Sequence, residues 1–519
     1  MKKCFKRTIA LASAAVMALS CLSGCGEKTN SDSVTLKWFI QGPGVLKDSK
    51  EVWAEFNKEL QEYMPGVTVD FEVAAPAEYA EKWGYIASSG EQVDLAWVGY
   101  MQDYLSEVRK GAYYPLNDLL ETETGKELKE EVPDWALSLQ TVSGKVYSVP
   151  CMQMLVQIPK GFCIPKDLYD EFMGDENAKK LEETFTSDKP IAAEDYAIIE
   201  EFLQKCKDAG KLGKGISPNL VQWILPSRYH RTQFDRTMLD PAYDYVLNDD
   251  ESITFRRGDD VRQMRNESYD IMADWFKKGY IRQDIMGLDS YTADEGVQNG
   301  YCIWSCENLE GSEESYSKKY GMDVKIIPFE NKGYIDARFV NTATAISANS
   351  ANPEKAFELL TLMNTKKGTK LLNLLSFGIE GKHYKKTGEN TIELLGKANT
   401  GSSENDYGYS DWSLGNTFYT YNTQYQTADY GEYSRRLNDE AVRSPLLGFT
   451  FDTSPVEVEW AQCKAVESEY GYLDYGGVGT VDYKKVMAER DEKMKLAGID
   501  KITEELQRQI EEWKKTNNK

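Results

Sequence analysis

Val34-Thr-Leu-Lys-Trp-Phe-Ile40 has the β-branched and aromatic make-up of a strand, and Gln41-Gly-Pro-Gly44 breaks it. From Lys47 to Met64 the apolar residues Val52, Trp53, Phe56, Leu60 and Tyr63 recur at helical spacing, and Pro65-Gly66 stops that helix. Val67 to Val73 predicts a second strand, Ala77 to Ile86 a second helix and Val93 to Val98 a third strand. Strand, helix, strand, helix, strand at this spacing predicts a parallel, helix-covered sheet. Open sheets of that kind place ligands at the carboxyl ends of their strands. The sequence puts Gln41, Asp94, Trp97 and Tyr100 there.

The pattern continues through the rest of the chain. Ser143 to Pro150 reads as a Ser-Gly hairpin turn running into a strand that Pro150 terminates. Ala193 to Gly210 predicts a helix, Leu220 to Leu225 a strand, and Val261 to Lys278 a long helix stopped by Gly279. Met322 to Phe329 and Phe339 to Ala348 predict strands. Asn352-Pro353 supplies an N-cap and first helical residue, with Ala356, Leu359, Leu360 and Met363 as the buried stripe. At the end, Asp500 is positioned to cap a helix whose stripe is Ile502, Leu506, Ile510 and Trp513. The chain is α/β, and 519 residues call for two large lobes or three smaller domains.

The first residues do not belong to this fold. Met1 to Arg7 is a positive segment, and Thr8 to Leu22 is an apolar stretch with the proportions of an export signal, too short to span a bilayer. It runs into Leu22-Ser23-Gly24-Cys25, the small-residue pattern of lipoprotein processing, so Cys25 is the expected lipidation site. Residues 26–33 (GEKTNSDS) form a polar tether. The whole chain has 61 basic and 84 acidic residues, a net charge of −23. Cleavage before Cys25 removes Lys2, Lys3, Lys6, Arg7 and no acid, leaving 57 bases against 84 acids, or −27. Such a surface excludes duplex nucleic acid as a partner and is repelled by anionic lipid headgroups. The lipid, not a basic face, then holds the protein to the cell membrane.

Candidate chemistry narrows quickly. The sequence shows no GxGxxG after a strand, no GxxxxGK[ST], no HExxH and no GxSxG. Its two histidines, His230 and His383, leave no room for a multi-histidine metal site, and His383 in Gly378-Ile-Glu-Gly-Lys-His-Tyr384 reads as a structural residue of a glycine-rich turn. No metal, cofactor or catalytic residue is expected. Cys151, Cys163, Cys206, Cys302, Cys306 and Cys463 have no CxxC spacing and read as small buried hydrophobes. Aromatics carry the stronger signal, with 11 Trp, 32 Tyr and 18 Phe, several beside polar residues rather than in apolar runs. Trp97 follows Asp94, Trp223 follows Gln222, Trp304 precedes Glu307 and Asn308, and Trp412 lies between Asp411 and Asn416. An indole can cover the apolar C–H face of a sugar while amides and carboxylates bond its hydroxyls. Trp53, Trp275, Trp460 and Trp513 fall on helical stripes and are expected in cores.

With these residues in view, the chain resembles the family 1 extracellular solute-binding lipoproteins of ABC importers. The resemblance rests on the Cys25 pattern, VTLKWFI, GAYYPLNDLL (residues 111–120), SGKVYSVP (143–150), NGYCIWSCENL (299–309) and SANPEKAFELL (350–360). GIEGKHY (378–384), GFTFDTSP (448–455) and Leu496-Ala-Gly-Ile-Asp-Lys501 resemble the subgroup with an extra C-terminal domain of uncharacterised function. The resemblance implies two hinged α/β lobes with a ligand, usually a carbohydrate, trapped between them, and a permease pair as membrane partner. It implies that Pro150 to Gln153 enters the hinge and cleft rim, and it nominates Trp304, Glu307 and Asn308 for the cleft. The implied division is 34–150 with 323–366 in lobe 1, 151–322 with 367–445 in lobe 2, and a mostly helical domain over 446–519. An oligosaccharide receptor, monomeric, is the leading expectation. A surface glycoside hydrolase and a peptide receptor are the alternatives, separable by product release and by a ligand panel.

Overall fold

The computed structural model describes residues 33–156, 158–187, 191–224, 245–247, 253–255, 259–285, 300–330, 333–335, 342–397, 405–444, 446–470 and 482–516. Cys25, tether residues 26–32 and His230 lie outside them. The first sheet begins as the alternation predicts. Strand β1 (Val34–Gln41) is followed by helix α1 (Ser49–Leu60), β2 (Val67–Ala74), α2 (Pro76–Ser89) and β3 (Leu95–Gly99). β1 pairs in parallel with β2, from Val34 opposite Val67 to Gln41 opposite Ala74, and with β3 on its other side. Its second half is buried throughout, as a central strand covered on both faces must be, and this explains the unbroken Trp38-Phe39-Ile40 run. After helix α3 (Tyr104–Arg109), Ser143 and Gly144 turn the expected hairpin with φ of 50° and 78°, the left-handed pair a tight two-residue hairpin requires. β4 (Ser148–Pro150) then completes this part of the chain.

The second sheet starts with β5 (Lys160–Pro165). Helix α4 (Ala197–Asp208) buries Ile199, Phe202, Leu203 and Cys206. Residues Pro218–Ile224 form helix α5, not the strand expected from Leu220 to Leu225. The Ser217 hydroxyl accepts from the Leu220 N–H, and Leu220, Val221 and Ile224 fall on one buried helical face. Helix α6 (Asp259–Lys277) ends before Gly279, whose φ is 74°. Strand β6 (Trp304–Glu307), helix α7 (Ser312–Tyr320) and strand β7 (Val324–Pro328) follow. β6 and β7 flank β5, both antiparallel to it. β7 therefore belongs with the second sheet, although the sequence assigned residues 323–366 to the first lobe.

The return comes at β8 (Thr342–Ile346), which inserts antiparallel between β3 and β4 and gives the first sheet the order β2-β1-β3-β8-β4. Helix α8 (Pro353–Asn364) begins at the expected Asn352-Pro353 pair. Helix α9 (Thr369–Phe377) corrects a second boundary. Leu371, Leu372 and Leu375, with Tyr407, Tyr409 and Leu414, join the core built on β1, β2 and α1, so residues expected in the second lobe pack in the first. Polar clasps hold them there. The Tyr409 and Ser49 hydroxyls are 2.8 Å apart, Lys382 pairs with Glu51 and Asp48, and buried His383 places Nε2 3.2 Å from Asp48 while Nδ1 accepts the Ile379 N–H. His383 is thus structural, as expected.

Helix α10 (Tyr430–Glu440) crosses next to the segment linking β4 and β5. Asn438, almost fully buried, accepts the Leu155 and Val156 N–H groups and donates to the Gln153 carbonyl. Helices α11 (Glu457–Tyr470), α12 (Tyr483–Leu496) and α13 (Ile499–Thr516) close the chain around their own core of Leu446, Phe449, Phe451, Cys463, Met494, Ile499, Ile502, Leu506 and Ile510. α13 starts at Ile499, after Gly498 at φ 94°, so Asp500 sits in its first turn rather than at its cap. The six cysteines among the described residues are all buried thiols.

Candidate functional site

β1, β3 and β4 share one direction, so their carboxyl ends open on the same edge of the first sheet. That edge carries Gln41, Tyr100, the start of β8 at Thr342, and Gln153. Trp412 is drawn onto it by its backbone. Its carbonyl accepts from Gln153 Nε2 at 3.2 Å and from the Thr342 hydroxyl at 3.3 Å. The Trp412 ring lies 6.4 Å from the ring of Tyr100, which is 58% exposed. Trp97 lies beneath them. It is fully buried, edge-on to Tyr79 at 5.2 Å and to Tyr100 at 5.8 Å, and its Nε1 donates to Thr342 at 2.7 Å. Trp97 is therefore the support of the platform and not its surface, a correction to the expectation that it contacts ligand.

Three other nominated residues are also structural. Asp94 precedes β3 and so sits at the opposite, amino edge of the sheet. It is fully buried, accepting the Lys37 N–H at 2.9 Å and the Ser350 hydroxyl at 2.6 Å. Asn416 is fully buried too, accepting the Phe418 N–H and donating to the Asn364 carbonyl. Trp304 is 3% exposed, packed with Cys163, Cys306 and Val324 and edge-on to Tyr320 at 5.8 Å. The pleat decides this. Trp304 and Cys306 point to the α7 side, and Ser305 and Glu307 to the other. Trp223 lies in α5, and its side chain is outside the described residues.

Glu307 and Asn308, at the carboxyl end of β6, are accessible. Glu307 keeps 44% of its side chain exposed and lies 3.7 Å from Lys160 Nζ, and the Asn308 N–H bonds the Pro159 carbonyl, leaving its amide for other partners. α10 meets this end through Tyr433, whose hydroxyl accepts the Glu310 N–H at 3.0 Å. Burial pushes the phenol pKa of Tyr430, the first residue of α10, upward, and the charges of Glu307 and Asp411 push it further, while a bond with Ser434 pulls it back in part. Neither Tyr433 nor Asn438, which clasps the segment linking β4 and β5, was picked out by sequence. Tyr433 stands among many tyrosines in an aromatic segment, and nothing local marks which of them meets the end of β6.

Asp411 is the half-buried carboxylate beside Trp412. Burial raises its pKa above the ordinary carboxylate value, while the Thr420 hydroxyl and the Trp412 N–H, each bonding one oxygen, pull it back in part. The folded protein therefore holds this proton to higher pH than the unfolded chain does. Between the unfolded value, about 3.9, and the raised one, ionisation of Asp411 opposes folding, and its contribution to stability falls as pH rises. Asp411→Asn removes that slope. The melting temperature of the native protein should gain on the variant as pH is lowered from about 7 to about 4; a constant difference would show that the carboxyl titrates normally.

Comparison with known proteins bears on this arrangement. Residues 445–515 match the domain of unknown function DUF3502. Over 536 aligned positions the chain is 27% identical to a carbohydrate ABC transporter substrate-binding protein of Streptococcus pneumoniae serotype 4, with 98% of each chain covered. The fold matches the crystal structure of the N-glycan transport solute binding protein NgtS of Streptococcus pneumoniae at TM-score 0.72 and 23% identity, covering 93% of this chain and 99% of that one. Structures of NgtS in complex with Man1GlcNAc and Man5GlcNAc match at 0.65 and 0.60 with the same identity and coverage. An extracellular solute-binding protein of Bifidobacterium longum subsp. infantis matches at 0.59 and 11% identity, covering 93% of this chain and 99% of that chain. The chain has the α/β solute-binding-protein fold, with a DUF3502 domain at its C-terminus.

Proposed function

We propose that this chain is the extracytoplasmic receptor of a carbohydrate ABC importer. It acts by binding and is not an enzyme. The carrying observation is the Tyr100–Trp412 platform at the carboxyl edge of the first sheet, supported by Trp97 and Thr342 and flanked by Gln153 and Asp411. Aromatic faces suit the C–H faces of sugar rings, and the amides and carboxylates suit their hydroxyls. Glu307, Asn308 and Tyr430 supply polar groups from the other sheet and from α10, so one ligand can touch both lobes. A ligand with that differential contact favours closure. The similarity to a carbohydrate ABC transporter protein, and to NgtS in complex with mannose- and GlcNAc-containing glycans, supports an oligosaccharide as the ligand.

The test is calorimetry of the purified protein against neutral oligosaccharides, including mannose- and GlcNAc-terminated chains, with peptides in parallel. Saturable heat with at least one sugar and no new reducing ends is expected. Heat with peptides only, or release of product that survives repurification, would overturn the reading.

The receptor reading also needs an anchor. No helix among the described residues is long and apolar enough to cross a membrane. Cys25, placed directly after the apolar signal segment, supplies one as an acylated first residue. Cys25→Ala should abolish lipid labelling and leave the protein as precursor or in the medium. Undiminished labelling in that variant would count against the anchor. In its mature form the receptor is held to the membrane by this lipid and hands its sugar to a pair of permease subunits.

A further inference from the structure

The C-terminal domain touches both lobes. On the first-lobe side, Arg109 at the end of α3 pairs with Asp452 at 2.9 Å and donates to the Thr453 hydroxyl and the Phe451 carbonyl. Thr450 bonds the Thr141 carbonyl at 3.0 Å, and Gly448, at φ 88°, lies close against Ser138. Gln509 of α13 bonds the backbone of Asp452 in both directions and so fastens the helices to this joint. On the second-lobe side the contact is one helix against another. The Tyr483 ring of α12 lies on the Tyr269 ring of α6, Lys484 pairs with Asp270 at 2.9 Å, and Tyr470, Met487, Val466 and Val486 surround the two rings.

We infer that the DUF3502 domain is a brace across the two lobes, and that it sets the balance between their open and closed arrangements before any ligand arrives. Its simultaneous contact with both lobes carries the inference. The first-lobe joint includes an ion pair and several hydrogen bonds. The second-lobe joint includes a tyrosine pair set among apolar residues and an ion pair. Between them the helices are tied together, with buried Arg490 of α12 paired to Glu467 of α11 and lying beside its own neighbour Asp491. A hinge rotation between the lobes must strain one of these two joints. The contact thus stabilises the arrangement seen here, in which Tyr100 is 58% exposed. Closure has to overcome it. A receptor whose competent state is only partly populated binds with correspondingly reduced apparent affinity.

This inference rests on the receptor reading only for its effect on affinity, so its primary test needs no ligand. Spin labels or fluorophores placed on α2 and α4 report the lobe-to-lobe distance in the full-length mature protein. Lys484→Glu combined with Tyr483→Ala should shift the ligand-free distribution toward shorter distances, with the helical signal unchanged. Lys484→Glu alone should shift it less, and Asp270→Lys added to Lys484→Glu should restore it. With a sugar identified by calorimetry, the double variant should bind about two- to tenfold more tightly. An unchanged ligand-free distribution in the folded double variant would overturn the brace. So would a charge swap that restores nothing. Neither result depends on whether the ligand is a sugar.

Discussion

Trp97→Ala should cost about 3–5 kcal/mol of stability, the range for truncating a fully buried tryptophan. Its ring fills the space between β3 and α2, edge-on to Tyr79, and its N–H holds the Thr342 hydroxyl at the start of β8. Truncation leaves a cavity under the first sheet and frees a buried donor–acceptor pair that joins β3 to β8. Chemical denaturation followed by circular dichroism measures the loss. A change below about 1 kcal/mol, that of an ordinary surface substitution, would show that the ring is not part of the core. Trp97→Phe keeps an aromatic ring but loses the pyrrole half with its N–H, and should recover part of the loss.

Tyr100→Ala should do the opposite, leaving stability nearly intact and removing affinity. The ring is 58% exposed and stands at the carboxyl edge beside Trp412. A ring that becomes covered only when ligand arrives should contribute about 1–3 kcal/mol to binding, the size of burying a large side chain. That is about 5- to 150-fold in Kd. Tyr100→Phe preserves the face and should retain most of the affinity. The readouts are the melting temperature and the dissociation constant for the sugar found by calorimetry. Normal affinity in Tyr100→Ala would move the binding surface away from this edge, toward the residues of β6 and α10.

The two variants lie three residues apart, and their opposite expectations show where local sequence stops being informative. The periodicities of 2 and 3.6 are local, so they located β1, α1, β2, α2 and β3, the Ser-Gly hairpin and the Asn352-Pro353 helix start. The export signal, the lipidation pattern at Cys25 and the acidic balance are also read from covalent sequence alone. The aromatic and amide composition identified the kind of surface to seek. It could not say which tryptophan presents a face, because flanking polar residues are shared by buried and exposed rings alike. Trp304 and Glu307 differ by pleat parity, and Asp94 by which edge of the sheet it occupies.

Tertiary structure decided the rest, through contacts between residues hundreds of positions apart. β8 enters the first sheet between β3 and β4 only after the second sheet is complete, and β7 stays with β5 because backbone pairing there leaves it no other place. α9 returns to the first lobe because its leucines complete a core that β1, β2 and α1 leave unfinished. The span of the C-terminal helices from Arg109 to Asp270 is likewise a fact of packing. The sequence by itself determined most of the elements and the acidic balance, since those follow from spacing and composition along the chain. Which rings are buried, which sheet each strand joins and what the last domain touches were set by long-range burial, which no window of sequence contains.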